Sequence, residues 1–278
     1  MEVASFRKKE LISNYVILGI FAIVSLAPIL VLIFNAFKPA VEFGTNPIGL
    51  PNNITFQNFP DAWTQGEYSK IFFNSFKLVL GTLILCISVS SLAGFSLAKL
   101  NPKGSNLVAI YLLVGISIPA QMFLLPLFLL WKNLGLLNTH IGLIIIYSAL
   151  NAPFATFLIR SYMIRLPDEL FDAAKIDGAN ILQQFFRVAI PLSWPVLLTS
   201  ALVVGLAVWN EFLFALTFVQ DEELKPISTI LFAFSWRFIN NQALVSAASI
   251  MMVAPVVILF LLFQKRFISG LTSGGVKG

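Results

Sequence analysis

Trp209, Asn210 and Glu211 stand together near the end of a long apolar stretch, residues 194–219, in which Glu211 is the only acid. Ionisable groups within membrane-crossing segments are rare and usually mark function. An indole beside an amide and a carboxylate suits contact with a sugar, whose apolar ring face packs on aromatic surfaces. The trio therefore predicts a solute path. Two other interpretations stay open: a helix-packing patch, or a Glu211 held by water or a neighbour near the outer interface.

Other chemically active side chains are few. His140 is the only histidine and opens another apolar stretch, where a solvated or capping role is favoured over a ligand role. Cys86 is the only cysteine and lies within an apolar stretch, so neither a disulfide framework nor a metal–thiolate cluster is expected. The sequence also lacks a G-x-S-x-G, H-E-x-x-H or G-x-x-x-x-G-K-[ST] motif. We therefore expect a protein that is not an enzyme and binds no metal or cofactor itself.

A charged, helix-forming segment, residues 161–191, interrupts the apolar sequence. Pro167 suits the first turn of a helix, where its missing N–H costs nothing, and Asp168 and Glu169 suit the positive end of the helix dipole. Ala173 and Ala174 lie on this amphipathic helix, and such small side chains allow another surface to approach closely. The segment therefore predicts a contact site outside the membrane.

The same segment continues through a turn into a second helix. Asp177-Gly178 predicts the turn, because glycine tolerates the positive φ angle that ends helices. The second helix is expected over about residues 180–189, ending before Pro191. A hairpin lying on lipid is one interpretation, but such helices favour basic and bulky apolar residues rather than acids and alanines. A protein partner fits this composition better.

The elements that position these residues are apolar helices. Of 278 residues, 58% are hydrophobic and only 11% are charged, which excludes an ordinary soluble globule. A bilayer core about 30 Å thick requires roughly 20 apolar residues per helix. The sequence thus predicts an all-α membrane protein with six transmembrane helices, in which interior prolines such as Pro119 produce kinks. The expected spans are 15–37, 76–97, 107–130, 141–159, 194–219 and 243–263.

The basic residues predict the orientation in the membrane, because they are enriched in cytoplasmic loops. With the N-terminus inside, 12 of the 18 lysines and arginines fall in inner segments and six in outer ones. We therefore expect a multi-pass protein of the cytoplasmic membrane, in contact with lipid, with both termini in the cytoplasm. The net charge of +5 then reflects topology, and no nucleic acid partner is expected.

The remaining regions follow from these spans. Residues 1–14 form a cytoplasmic N-terminus, and residues 38–75 form an extracytoplasmic loop rich in proline, glycine and asparagine. This composition predicts an ordered loop with at most short helices. Its aromatic residues serve either as anchors for a partner or the interface, or as contacts with the protein's own helices.

The 161–191 segment resembles the EAA loop of binding-protein-dependent ABC importers. That pattern is Glu-Ala-Ala, three residues, Gly, nine residues, then Ile-x-Leu-Pro. Here Asp172-Ala173-Ala174 is followed by Gly178 and then by Val188-Ala-Ile-Pro191 at the same spacing. The alanines, the glycine and the proline match outright. Asp172, Val188 and Ile190 are conservative departures, and the shorter Asp172 is expected to weaken or shift one polar contact to the ATPase.

Other parts are similar to the six-span permease of the maltose-type carbohydrate branch. These are Phe37-Lys38-Pro39 with Glu42-Phe43, Asn74-Ser75, Trp209 to Leu213, and the glycine-rich tail Gly270 to Gly278. The resemblance implies the type I ABC importer permease fold, with a transmembrane domain over 71–263, a coupling loop at 161–191 and a cytoplasmic tail at 264–278. It also implies import of a sugar or oligosaccharide, with another solute such as a glycerol phosphate or polyamine as the alternative.

The same resemblance implies the partners. These are a second, homologous permease in a heterodimer, two cytoplasmic ATPase subunits that bind ATP and Mg, and an extracellular or periplasmic solute-binding protein. The residues expected to couple to the ATPase are Asp172, Ala173, Ala174, Asp177, Gly178 and Pro191, and the tail contributes Gly274, Gly275 and Lys277. An ion-coupled secondary transporter that uses Glu211 is the alternative from a different class.

Overall fold

A computed structural model describes the backbone of residues 2–238 and 241–275, together with the side chains of residues 14–229 and most of 232–264. In this described part the chain is helical and contains no strand. The α-helices are α1 (Glu2–Ala36), α2 (Ala40–Thr45), α3 (Asn58–Gln65), α4 (Tyr68–Phe95), α5 (Ser105–Ser117), α6 (Leu124–Leu134), α7 (His140–Met163), α8 (Asp168–Ile176), α9 (Ile181–Gln184), α10 (Ile190–Leu192), α11 (Trp194–Trp209), α12 (Leu213–Phe218), α13 (Ile227–Arg237) and α14 (Gln242–Gly275). Two π-helical turns, Ser96–Leu100 and Phe185–Ala189, extend α4 and α9.

Four helical segments among the described residues are long and apolar enough to cross a membrane. They are Asn14–Ala36, Tyr68–Leu100, His140–Met163 and Gln242–Gln264. Two bent helix pairs raise the number to six: Ser105–Ser117 with Ala120–Leu134, and Ile181–Leu192 with Trp194–Trp209. The predicted all-α membrane architecture is therefore confirmed.

The third predicted span is broken rather than kinked. Its two halves, α5 and α6, meet at 93°. Ile118 is extended, with φ −84° and ψ 127°, and Pro119 follows it. A residue before proline avoids the helical region, and proline itself donates no backbone hydrogen bond. The expectation of a helix continuous over 107–130 is therefore wrong.

Contacts divide the described residues into two compact units, of which the first comprises Met1–Tyr68 and Leu231–Pro255. In this unit a buried lysine connects the end of α1 to the segment after α2. The Lys38 side chain is fully buried, and its Nζ donates to Asn35 Oδ1 at 2.8 Å and to the Asn46 carbonyl at 2.6 Å. The Phe37 ring packs 5.1 Å from that of Phe59. Before residue 68 this segment contains only the short helices α2 and α3, as expected, but α4 begins at Tyr68, so the expected end of the loop at residue 75 is wrong.

The second unit comprises Ser69–Ile230 and Val256–Gly278, and α7 lies at its centre, packed against α5 and α11. Two glycines of α4 bring it close to α7. A Cβ added at Gly81 would lie 2.5 Å from the Ile144 side chain, and one at Gly94 would lie 3.0 Å from that of Ile159. Small residues allow this close approach between membrane helices.

The predicted hairpin between α7 and α11 is present, with an unexpected second half. After α9 the chain forms the π-helical turn Phe185–Ala189, in which the Ile190 N–H reaches back to the Phe185 carbonyl. The chain then remains helical through Pro191 in α10. Because proline lacks an N–H, a carbonyl of the preceding turn has no α-helical donor. The π-helical turn shifts the hydrogen bonds by one residue before Pro191 and so accommodates the proline within the helix. The expectation that the second helix ends before Pro191 is wrong.

Candidate functional site

Helix α8 of the hairpin presents a mostly exposed surface. Pro167 is its N-cap, Asp168 and Glu169 occupy its first turn, and Phe171 is its only buried residue. Asp172 and Ala173 are exposed, and the Asp172 carboxylate lies 2.8 Å from Lys175 Nζ. An ion pair this exposed contributes little stability. The acidic and small side chains of α8 are therefore accessible to a partner.

The turn after α8 has the hydrogen bonds of a Schellman motif. The Ala179 N–H donates to the Ala174 carbonyl at 2.9 Å, and the Gly178 N–H donates to the Lys175 carbonyl at 2.9 Å. Gly178 has φ +81°, a left-handed conformation that glycine adopts without strain. A Cβ at Gly178 would meet nothing within 4 Å. The glycine is thus required by the backbone conformation and not by crowding within this chain.

A capping box starts the helix that follows. Asn180 Oδ1 accepts from the Gln183 N–H, and the Gln183 side chain accepts from the Asn180 N–H, both at 2.9 Å. These bonds fix the angle between α8 and α9. An open pocket of about 330 Å³ lies in that angle, lined by Ala174, Asp177, Gly178, Ala179, Gln183, Arg187 and Val188.

Three of the predicted coupling residues, Ala174, Asp177 and Gly178, line this pocket. Asp172 and Ala173 are exposed on α8, outside the pocket lining. Pro191 is also absent from the lining and lies in α10. The loop therefore brings three of its six predicted residues to the pocket and leaves two exposed on α8, whereas Pro191 lies in α10.

An aromatic cluster anchors the hairpin on the ends of the membrane helices. The Phe171 ring lies 6.1 Å from that of Phe95 on α4, which lies 5.4 Å from that of Phe185. Ile159 and Met163 of α7 are buried in the same cluster. This cluster is not recognisable from the sequence, because phenylalanines are numerous along the chain and nothing in their spacing separates these three from the rest.

A lysine of α4's π-helical extension also reaches α8. Lys99 Nζ lies 2.6 Å from Asp168 Oδ1 and 2.6 Å from the Leu166 carbonyl. The hydrogen bond from Lys99 lowers the pKa of the Asp168 carboxyl below its ordinary value. Lys99 is one of the 12 basic residues counted above as cytoplasmic, and its place at the end of a span is the only signal in the sequence for this contact.

The second candidate site, Trp209 to Glu211, coincides with a break between α11 and α12. The Glu211 carboxylate accepts hydrogen bonds from the Tyr147 hydroxyl at 2.8 Å and from the N–H groups of Phe214 and Ala215 at 2.9 and 3.0 Å. It therefore satisfies the first N–H groups of α12. The expectation of one continuous helix over 194–219 is wrong, because this carboxylate stabilises a second helix start.

Asn210 and Trp209 differ from Glu211 in their surroundings. Asn210 is exposed, and its Nδ2 donates to the Leu206 carbonyl at 2.9 Å. Trp209 is half-buried, with its ring 5.7 Å from that of Phe72. The three residues adjoin, yet Glu211 is directed into the protein while Asn210 remains accessible.

His140 is separate from both sites. His140 Nε2 lies 3.0 Å from the Leu224 carbonyl and connects the start of α7 to the loop after α12. The backbone of Gly274 and Gly275 forms the end of α14, but their surroundings are not described. Lys277 lies outside the described residues. The tail contact therefore remains a prediction.

Comparison with known families assigns the chain. The model for the binding-protein-dependent transport system inner membrane component matches residues 90–273, which is more than half of the chain and includes α8, its pocket and the break after α11. The chain belongs to this family. It is thus a transport permease, and the transmembrane permease fold predicted from the EAA-like loop is confirmed.

Relatives of this permease carry names that refer to sugars. The arabinooligosaccharides transport system permease protein AraQ of Halalkalibacterium halodurans is 37% identical, over 92% of this chain and 93% of its own length. The melibiose/raffinose/stachyose import permease protein MelC of Bacillus subtilis is 33% identical, over 90% and 91%. A solved bacterial ABC transporter involved in the import of the acidic polysaccharide alginate matches with a TM-score of 0.82 at 26% identity, over 94% of this chain and 97% of that chain.

Proposed function

We propose that this permease is one of two different permease subunits in an ATP-driven importer of a sugar or oligosaccharide. Its partners are a homologous permease, two cytoplasmic ATPase subunits, and an extracellular or periplasmic solute-binding protein. The names of the arabinooligosaccharide and melibiose permeases support the solute class. ATP and Mg bind to the partner ATPases, and both termini of the permease lie in the cytoplasm.

The docking element for the ATPase is α8 with the turn that follows it. The observation that carries this proposal is a helix with one buried residue, held at a fixed angle to α9 by the Schellman motif and the capping box. Its exposed acids and Ala173, with the half-buried Ala174, offer a surface that a cleft can enclose. The pocket at Ala174 and Gly178 gives a side chain of the ATPase room to enter.

For the solute path, Asn210 and Trp209 contact the sugar, and Glu211 holds them in place. Asn210 is exposed at the helix break and offers an amide to sugar hydroxyls. Trp209 offers the edge or face of an indole to the sugar ring. Glu211 acts indirectly, since both of its carboxylate oxygens accept hydrogen bonds from the protein.

The test combines the permease with its partners in proteoliposomes. Uptake is measured for labelled arabino-oligosaccharides, α-galactosides, glycerol phosphate and a polyamine, each presented with the cognate solute-binding protein. We expect saturable uptake of a neutral oligosaccharide only. Uptake restricted to glycerol phosphate or the polyamine would overturn the assigned solute class. Ala174→Leu, compared with Ala40→Leu on the exposed extracytoplasmic helix α2, tests the docking surface in the same vesicles.

A further inference from the structure

Lys99 is buried at the point where the coupling hairpin meets the second membrane span. Its side chain is only 6% exposed, although it lies in the π-helical turn at the end of α4. Its Nζ donates to the Leu166 carbonyl and to Asp168 Oδ1, both at 2.6 Å. The same Nζ lies 5.1 Å from the centre of the Phe171 ring. One ammonium group thus contacts the residues on both sides of Pro167 and the buried anchor of α8.

The Leu166 carbonyl is the principal partner of Lys99. It belongs to the residue before Pro167, which caps α8, so its position determines where α8 begins. The Asp168 side chain is 81% exposed, and water screens an ion pair there. A buried ammonium group without hydrogen-bond partners is strongly disfavoured. A hydrogen bond from a charged donor to a carbonyl is stronger than one between neutral groups, so the bond to Leu166 offsets the burial of Lys99.

The aromatic cluster strengthens the same connection. Phe95, four residues before Lys99 on the same helix end, packs 6.1 Å from Phe171. Phe171 is 4% exposed and is the only buried residue of α8. A π-helical turn directs side chains differently from an α-helix and is frequent at functional sites. Phe95 therefore contacts the buried face of α8 through Phe171, and Lys99 contacts the start of α8.

We propose that Lys99 is a positioning residue that transmits the movement of α8 to α4 during transport. This inference rests on the proposed docking of α8 on the ATPase. A displacement of α8 moves the Leu166 carbonyl and the Phe171 ring. Lys99 and Phe95, at the end of α4, contact these two groups, so α4 moves with α8. Without the ammonium group, α8 still docks on the ATPase, but its movement is taken up at the Leu166–Pro167 junction.

The test measures uptake and ATP hydrolysis in the same proteoliposomes for Lys99→Met and Lys99→Arg. Methionine keeps the apolar stem and removes the charge. We expect Lys99→Met to lower the uptake per ATP hydrolysed about tenfold, the effect of losing one charge-assisted hydrogen bond. Lys99→Arg restores at least part of this ratio, because the guanidinium keeps the positive charge and the donor. Lys103→Met, an exposed lysine four residues later, is the matched control.

A ratio of uptake to hydrolysis in Lys99→Met equal to that of Lys103→Met overturns the proposal. Loss of ATP-dependent uptake in the wild-type complex would instead refute the proposed function, so the two failures are distinguishable. Should Lys99→Met not assemble, amine acetylation of the wild-type complex decides. We expect Lys99 to react several-fold more slowly than Lys103 both without nucleotide and with trapped ATP. Exposure of Lys99 in either state would show that α8 separates from α4 and would overturn the proposal.

Discussion

The Tyr147 hydroxyl donates a hydrogen bond to Glu211 Oε2 at 2.8 Å and thereby joins α7 to the break between α11 and α12. Tyr147 is 1% exposed, so this contact is shielded within the helix bundle. The Glu211 backbone is fixed as well, because its carbonyl accepts from Ser228 Oγ at 2.6 Å. The Glu211 carboxylate thus stabilises an interruption of the helix next to the exposed Asn210.

Glu211→Gln is predicted to destabilise the complex and to slow uptake. A carboxylate accepts hydrogen bonds through both oxygens, whereas a glutamine side chain has one acceptor oxygen and an amide nitrogen that only donates. In the variant this nitrogen faces an N–H or O–H donor, which loses its acceptor. We expect a loss of about 1–3 kcal/mol in the free energy of unfolding. Thermal unfolding of the purified complex and the maximal uptake rate are the measurements.

Tyr147→Phe is the matched variant for this pair, because it removes only the hydroxyl. The two substitutions are expected to be non-additive by about 0.5 kcal/mol or more, as for residues in one hydrogen-bond network. A Glu211→Gln protein with unchanged stability and a much weaker affinity for solute would argue that the acid touches the solute directly.

Gly178→Val is predicted to disrupt docking while leaving membrane insertion intact. At φ +81° a side chain with a Cβ is strained by about 1–2 kcal/mol, and a β-branched side chain more. The Schellman turn then opens, and α8 and α9 lose their fixed angle. Co-purification of the ATPase with the permease is the measurement, and we expect it to be lost.

Gly178→Asn distinguishes two reasons for a glycine at this position: the left-handed backbone conformation, and the absence of a side chain. Asparagine tolerates the left-handed conformation, so the turn persists and co-purification is retained. Equal loss of co-purification in both variants would show that glycine is needed because any side chain at residue 178 clashes with the ATPase. Retention in both would contradict a role for this turn in docking.

Asp172→Glu, which restores the acid found in the EAA pattern, is predicted to bind the ATPase at least as tightly as the native chain. Asp172→Ala is predicted to bind it more weakly with no measurable change in stability. The Asp172–Lys175 pair is 65% and 59% exposed, and such pairs contribute at most about 1 kcal/mol. Lys175→Gln breaks the same pair and keeps the carboxylate, so equal weakening in that variant would assign the effect to the ion pair instead of the acid.

The segment between α1 and α4 is predicted to loosen in acid. The Asn52 N–H, donating to Glu42 Oε1 at 2.6 Å, lowers the pKa of the Glu42 carboxyl, and the Asn53 N–H adds to this. A lowered pKa means that the contact is complete above the ordinary carboxyl pKa and is lost as the pH falls through the folded-state value. Amide exchange protection at Asn52 and Asn53, corrected for intrinsic rates, is expected to fall in that range.

Glu42→Gln serves as the control for the acid effect. This variant lacks the titrating group, so its protection at Asn52 and Asn53 is expected to be lower at neutral pH and independent of acidification. A pH-dependent loss of protection that persists in Glu42→Gln would attribute the transition to another group.

The membrane helices were predictable because length and apolar composition suffice for them. The helices at Asn14–Ala36 and His140–Met163 lie within a few residues of the expected spans at 15–37 and 141–159. The 161–191 hairpin was also predictable, since Pro167 and Gly178 mark the start of α8 and the turn after it.

The break between α11 and α12 and the two π-helical turns were not predictable from local sequence, unlike the break at Pro119. In the sequence, Glu211 is recognisable only as a single acid within an apolar stretch. Its partner, the Tyr147 hydroxyl, is 64 residues away in the sequence and reaches it only in the folded chain. The π-helical turns depend similarly on tertiary packing, in which Phe185 and Phe95 meet across 90 residues. Lys99 appeared as a cytoplasmic marker because its buried contacts with Leu166 and Asp168 arise only after folding.

The most direct measurement of the central claim is uptake of a labelled oligosaccharide by proteoliposomes that contain the complete complex, with and without ATP on the side of α8. We predict that uptake requires ATP on that side, ignores imposed proton or sodium gradients, and falls to background in Ala174→Leu but not in Ala40→Leu. Uptake that proceeds without ATP along an ion gradient, or that Ala174→Leu leaves unchanged, would contradict coupling of this permease to a separate ATPase through α8.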